Sequence, residues 1–119
     1  MRDIEHRLQS ACVKWFRYQY PQYSRLLFAI PNGGARNAAT GRKLKEEGVV
    51  AGVADLFLSV PGNDGSHGLY IEMKTLEGRQ SDVQKQFQYD VEKQGYKYIV
   101  CRSVEEFVET AMCHLKISK

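Results

Sequence analysis

Asp55, Glu72 and Lys74 are the residues of this 119-residue chain whose types and spacing are best suited to chemistry. Asp55 stands near the start of the apolar run Val53 to Val60. Glu72 follows seventeen residues later (72 − 55), inside a second apolar run, Gly68 to Lys74. Strand periodicity is two, so Glu72 and Lys74 project from one face, and Leu69, Ile71 and Met73 from the other. If the two runs pair through the loop Pro61 to His67, they lie about 5 Å apart and the two acids can approach each other. Close carboxylates repel, and a divalent cation removes the conflict. Oxygen ligands without His or Cys suit Mg²⁺ or Mn²⁺. Such an ion polarises a phosphate oxygen and acidifies water, while a lysine orients that water or offsets charge developing on phosphorus. The alternative is an ordinary solvated strand face, with Asp55 hydrogen-bonded at a strand start.

The elements that must position these residues follow from periodicity. Ile4, Leu8, Cys12, Trp15 and Phe16 form one stripe of a helix over Ile4 to Tyr20, stopped by Pro21. Leu26 to Ile30 reads as a buried strand, ended by the loop Pro31-Asn32-Gly33-Gly34. Asn37 to Glu47 permits a helix, with Gly48 as its stop. The runs Val53 to Val60 and Gly68 to Lys74 make a hairpin. Ser81 with Gln84 is a capping-box pair opening a helix whose inward stripe is Val83, Phe87 and Val91, ended by Gly95. Tyr96 to Cys101 is a strand. Ser103 with Glu106 repeats the capping pattern before a last helix with Phe107, Ala111 and Leu115 inward. The order α-β-α-β-β-α-β-α predicts an α/β fold with a mixed β-sheet flanked by helices.

Composition excludes other classes. Hydrophobic residues are 43% and charged residues 26%, the balance of a globular domain and not of a disordered chain. The length suits one domain over residues 1–119. The longest clean apolar run, Leu26 to Ile30, is far short of the roughly 20 residues that span a bilayer, and the N-terminus has no secretory h-region. Cys12, Cys101 and Cys113 lack metal or disulfide spacing and read as reduced intracellular thiols. The net charge of +3 permits a nucleic-acid partner without requiring one.

Asp55-Leu56-Phe57-Leu58 followed by Glu72-Met73-Lys74 resembles the D…(D/E)xK signature of the PD-(D/E)xK nucleases. Ile30 to Gly34, Gly48 to Leu58, His67 to Lys74 and Gln84 to Tyr96 together resemble the VRR-Nuc, or virus-type replication-repair nuclease, family. The likeness runs from the first helix to the strand at Cys101. One departure is Ala54, where a proline often precedes the first acid. The resemblance implies a restriction-endonuclease-like fold and a stand-alone form of the kind found in phage and bacterial genomes, acting in the cytoplasm. It implies that Asp55 and Glu72 hold the metal, that the Met73 carbonyl completes the coordination, and that Lys74 is the catalytic lysine. Glu5 resembles the helical glutamate that reaches the metal or its water, and Gln84 the glutamine that contacts the site or the DNA. Glu5 could equally complement the helix dipole, and Gln84 could serve only the cap.

The expected activity is a Mg²⁺- or Mn²⁺-dependent endonuclease on branched, flapped or four-way-junction DNA. Asn32, Gly33 and Gly34 offer small residues and free N–H groups to a phosphate. Arg36, Arg42 and Lys43 add charge around the second helix, with Lys45, Arg79, Lys85, Lys14 and Arg17 as further rim candidates and His67 as a further phosphate contact. Two equivalent strands favour a homodimer. The aromatic residues Trp15, Phe16, Tyr18 and Tyr20 exceed what one core stripe needs, and the first helix is the expected interface. The rivals are a nuclease acting on other nucleic acids and a catalytically silent DNA-binding module of nuclease fold.

Overall fold

The computed structural model describes residues 2–31 and 38–116. Its elements are α1 (Arg2–Gln19), a 3-10 turn (Pro21–Leu26), β1 (Leu27–Ala29), α2 (Ala38–Glu46), β2 (Leu56–Leu58), β3 (Leu69–Met73), α3 (Asp82–Lys93), β4 (Lys97–Cys101) and α4 (Val104–Leu115). The element order read from periodicity is the observed one, with the 3-10 turn added. That turn arises because Pro21 cannot continue α1 yet has the fixed φ that a new helical turn accepts.

The four strands form one mixed sheet in the order β1-β2-β3-β4. β1 and β3 each run antiparallel to β2, and β4 lies parallel to β3 after the α3 crossover. Odd and even positions then separate two faces. On one face Leu27, Leu56, Leu58, Leu69, Ile71, Met73 and Cys101 are buried against Cys12 and Phe16 of α1 and Phe107 and Ala111 of α4. On the other, the register aligns Phe28, Phe57, Tyr70 and Tyr98 in a row across all four strands. Phe87 of α3 packs edge-on against Tyr70 at 5.2 Å.

Four expectations change, the first being that β1, expected to be a buried strand, buries only Leu27. The α3 stripe is not deeply inward: Val83 is exposed, and Phe87 and Val91 are half-buried. This helix covers an aromatic, polar-tipped face from one side only. Ser103 caps α4 by accepting from the Glu106 N–H, but Glu106 turns its own carboxylate to the Arg102 N–H at 2.6 Å, so the reciprocal half of that box is missing. The aromatic residues of α1 are mostly internal. Phe16 is fully buried, Trp15 packs edge-on against Phe107 at 6.2 Å, and Tyr20 packs on Phe16 at 5.2 Å. Only Tyr18, 85% exposed, remains as aromatic surface, because α1 must fill the space between the sheet and α4.

Burial pushes the Cys12 thiol up to about 12 and the Cys101 thiol to about 11, so both stay neutral packing groups; Cys113 is exposed. Among the described residues no helix is long and apolar enough to cross a membrane.

Candidate active site

Asp55 sits one residue before β2, where its main chain is held from both sides. Its N–H donates to the Ile71 carbonyl at 3.1 Å, and its carbonyl accepts from Ile30 N–H at 2.9 Å. Its side chain is fixed as well, because Oδ2 accepts from the Met73 N–H at 2.7 Å. β2 contains only three residues, shorter than the eight-residue apolar run, and this leaves Asp55 at the open end of the hairpin instead of within a ladder. The register that pairs Leu56 with Ile71 leads, one step further, to Asp55 beside Glu72. The hairpin thus brings the two acids together as the sequence spacing requires.

Glu72 lies in β3 and is 1% exposed, a burial that a carboxylate tolerates only with partners. Its Oε1 accepts from the Tyr98 hydroxyl on β4 and from Gln80 Nε2 at 3.1 Å. Its Oε2 lies 3.2 Å from Lys74 Nζ, but the ammonium is not aligned as a hydrogen-bond donor, and no other donor reaches that oxygen among the described residues. Lys74, two residues on in the strand direction, projects from the same face as Glu72, as the period of two demands.

The electrostatics agree with this crowding. Burial pushes the Asp55 carboxyl above its usual range; the charges of Glu72 and Glu5 push the same way, against the Met73 N–H and Lys74. Burial, then the bond to Glu72, pushes the Tyr98 hydroxyl far up and keeps it a donor. Glu5 is half-buried in the first turn of α1, close enough for its charge to act on Asp55. Among the described residues no three His, Cys, Asp or Glu side chains converge as a metal cluster. Two acids and main-chain oxygen are therefore the donor set at hand, with Glu5 further out. That set fits a hard divalent cation with water completing its shell, and the donor-less buried Oε2 of Glu72 is the atom such an ion would satisfy.

Other expected site residues are placed differently. Gln84 completes the capping box of α3, its Oε1 accepting from the Ser81 N–H at 2.8 Å. The glutamine that touches Glu72 is Gln80, and Tyr98 supplies a hydroxyl to the same carboxylate. Neither carries a local signal, since both reach Glu72 only through the β3–β4 pairing and the turn before α3. Arg42 and Lys43 are exposed on α2. Asn32, Gly33, Gly34 and Arg36 lie outside the described residues. His67 stands at the opposite end of β3 from Lys74, its ring against Tyr96 at 5.5 Å, so strand direction removes it from the acids. Arg17 donates to the carbonyls of Ser24 and Leu27, which ties the 3-10 turn to α1. Arg102 likewise donates to the carbonyls of Thr75 and Gly78, both at 2.7 Å, and so anchors the segment after Lys74.

Comparison with known proteins identifies the fold and the family. No curated protein matches the chain. A solved structure described as a VRR_NUC domain protein superposes with a TM-score of 0.82 at 22% identity, covering 97% of this chain and 90% of that one, and shows the shared fold. The VRR-NUC domain family matches residues 3–105, nearly the whole chain. A D…ExK constellation at the end of a hairpin in a mixed sheet, together with that match, means that the chain belongs to the VRR-NUC family, a family of metal-dependent nuclease domains.

Proposed function

We propose that the protein is a Mg²⁺- or Mn²⁺-dependent endonuclease that hydrolyses phosphodiester bonds in branched DNA. The observation that supports this best is the convergence of Asp55, Glu72 and Lys74 at one sheet end, with a buried Glu72 oxygen that no hydrogen-bond donor among the described residues satisfies. Asp55 and Glu72 would hold the ion, with the Met73 carbonyl and, through water, Glu5. When bound, the ion supplies positive charge for a phosphate oxygen and acidifies water.

The chain's own residues do the rest. Lys74, held beside Glu72 at 3.2 Å, orients the attacking water and opposes negative charge building on phosphorus. The water oxygen bonds to phosphorus as the P–O bond to the leaving oxygen breaks; the water gives up a proton to solvent, and the leaving oxygen takes one up from solvent. Met73 N–H keeps Asp55 from rotating away during the reaction. Arg42 and Lys43, with Asn32, Gly33, Gly34 and Arg36, would hold phosphates, and the side-chain NH₂ of Gln84 would add to them while its Oε1 serves the α3 cap. Such contacts carry little base information, so they suit recognition of DNA shape and a strong salt dependence.

Branched DNA is the expected preference. With Mg²⁺ and with Mn²⁺, flap, fork and four-way DNA should be cut faster than linear duplex of the same sequence. Equal cleavage of linear duplex, or faster cleavage of RNA, would remove this substrate reading. Because one chain offers one such centre, two opposed strands call for two copies. Sedimentation at micromolar concentration should show a dimer, alone or on DNA. A monomer under both conditions would exclude paired nicking.

A further inference from the structure

The two oxygens of Glu72 are treated unequally. Oε1 receives two donors, the Tyr98 hydroxyl and Gln80 Nε2. Oε2 receives none among the described residues and faces Lys74. Gln80 is itself anchored: its Nε2 also donates to Gln88 Oε1 at 2.8 Å, and Gln88 Nε2 donates to Glu92 Oε2 at 3.1 Å along α3. Tyr98 is anchored by packing, its ring lying 6.2 Å from Phe87 and its residue paired with Tyr70 in the sheet. A glutamate has three rotatable side-chain bonds, so an unrestrained Glu72 would offer either oxygen or both. The shorter Asp55 needs only the single tie from Met73.

We propose that Tyr98 and Gln80 are positioning residues that clamp Glu72 by Oε1, so that Oε2 alone is presented to a divalent cation. This inference rests on the reading of Glu72 as a metal ligand. The clamp makes Glu72 a one-oxygen ligand with its orientation set before the ion arrives. It also joins the metal site to α3, since the chain of contacts runs from Glu72 through Gln80 and Gln88 to Glu92. Partners behind a ligand typically change metal affinity or activity by about 10–100-fold when removed. A network that only fastened α3 to the sheet would alter melting and leave cation affinity alone.

The test is Mn²⁺ binding to the full chain, followed by paramagnetic resonance of the free ion, for wild type, E72Q, Y98F, Q80L and Y98F/Q80L. Thermal melts run in parallel. Y98F keeps the ring, and Q80L keeps nearly the same volume. Wild type should bind Mn²⁺, and E72Q should lose most of that binding. The double variant should bind about tenfold more weakly, with its cleavage recovering toward wild type as Mn²⁺ is raised. A double variant that binds Mn²⁺ as tightly as wild type, whatever its melting temperature, overturns the clamp while Glu72 stands as a ligand. If wild type binds no Mn²⁺, or E72Q binds it equally well, Glu72 is not a ligand and the clamp falls with it. Should the double variant fail to fold, Y98F alone decides: severalfold weaker binding supports the clamp, and unchanged binding overturns it.

Discussion

Lys74→Met should reduce single-turnover cleavage by about 10²–10³-fold at saturating Mn²⁺, the usual cost of losing one group aimed at developing charge. The reason lies in what Lys74 touches. Its side chain is 14% exposed and its Nζ sits 3.2 Å from Glu72 Oε2, so the charge is held at the acids and not in solvent. Methionine keeps most of the apolar stem and removes only the ammonium. Breaking a buried ion pair by removing one partner usually costs about 3–5 kcal/mol. The cost should be smaller here, because Glu72 keeps its bonds from Tyr98 and Gln80. The variant should therefore melt lower than wild type without divalent ions and regain stability when Mn²⁺ replaces the missing charge, yet remain inactive. Recovery of stability without recovery of cleavage separates a catalytic role for Lys74 from a charge-balancing one. K74M cleaving within tenfold of wild type would show that Lys74 does no chemistry.

Asp55→Asn should do two opposite things: abolish cleavage and stabilise the metal-free fold. Cleavage should fall by about 10²-fold or more, since losing a ligand costs at least what losing a partner behind one costs. The stabilisation follows from the raised Asp55 pKa, whose first cause is burial and whose others are the charges of Glu72 and Glu5. At acid pH, below the ordinary aspartate value, both folded and unfolded chains carry the proton and no penalty exists. As pH rises, the unfolded chain releases its proton first. Stability then falls through the window between the ordinary value and the raised one, and stays lower above it. Asparagine has no proton to lose and can still accept from the Met73 N–H through its amide oxygen. The melting temperature of D55N should exceed that of wild type at neutral pH, and the gap should close as pH drops through that window. Adding Mn²⁺ should raise wild type and leave D55N nearly unmoved. A gap of constant size at every pH would mean that the Asp55 charge is not its origin.

Both results concern residues that could be read from the chain, and the site shows why some of its members could and others could not. Asp55 stands one residue before β2, Glu72 within β3 and Lys74 one residue after it, and strand period together with hairpin pairing is a rule that adjacent segments obey. The segments that carry them were therefore placed correctly, and the same rule put Leu69, Ile71 and Met73 into the core. The α3 capping box was equally legible because Ser81 and Gln84 are three residues apart. Where a side chain's partner is distant in sequence, no local rule predicts it. Gln84 is a candidate by the family resemblance, and the structure sets it in the α3 cap, while the amide on Glu72 belongs to Gln80, in the segment before the helix. His67 was near the acids in sequence and is at the far end of the strand in space. The aromatic residues at the end of α1 suggest an outer surface, and Phe107 of α4, some ninety positions later, covers two of them, Trp15 and Phe16.

The motif resemblance aside, the sequence by itself determined the order of elements, the hairpin and the face on which the acids and lysine project. These depend on periodicities and turns that act over a few residues. Only the tertiary structure decided which groups hold those acids. The parallel docking of β4 on β3 brings Tyr98 to Glu72, twenty-six residues away, and the turn into α3 brings Gln80 to the same oxygen. A buried carboxylate takes its hydrogen bonds from whatever the packed chain sets beside it, and that choice is made by the fold as a whole.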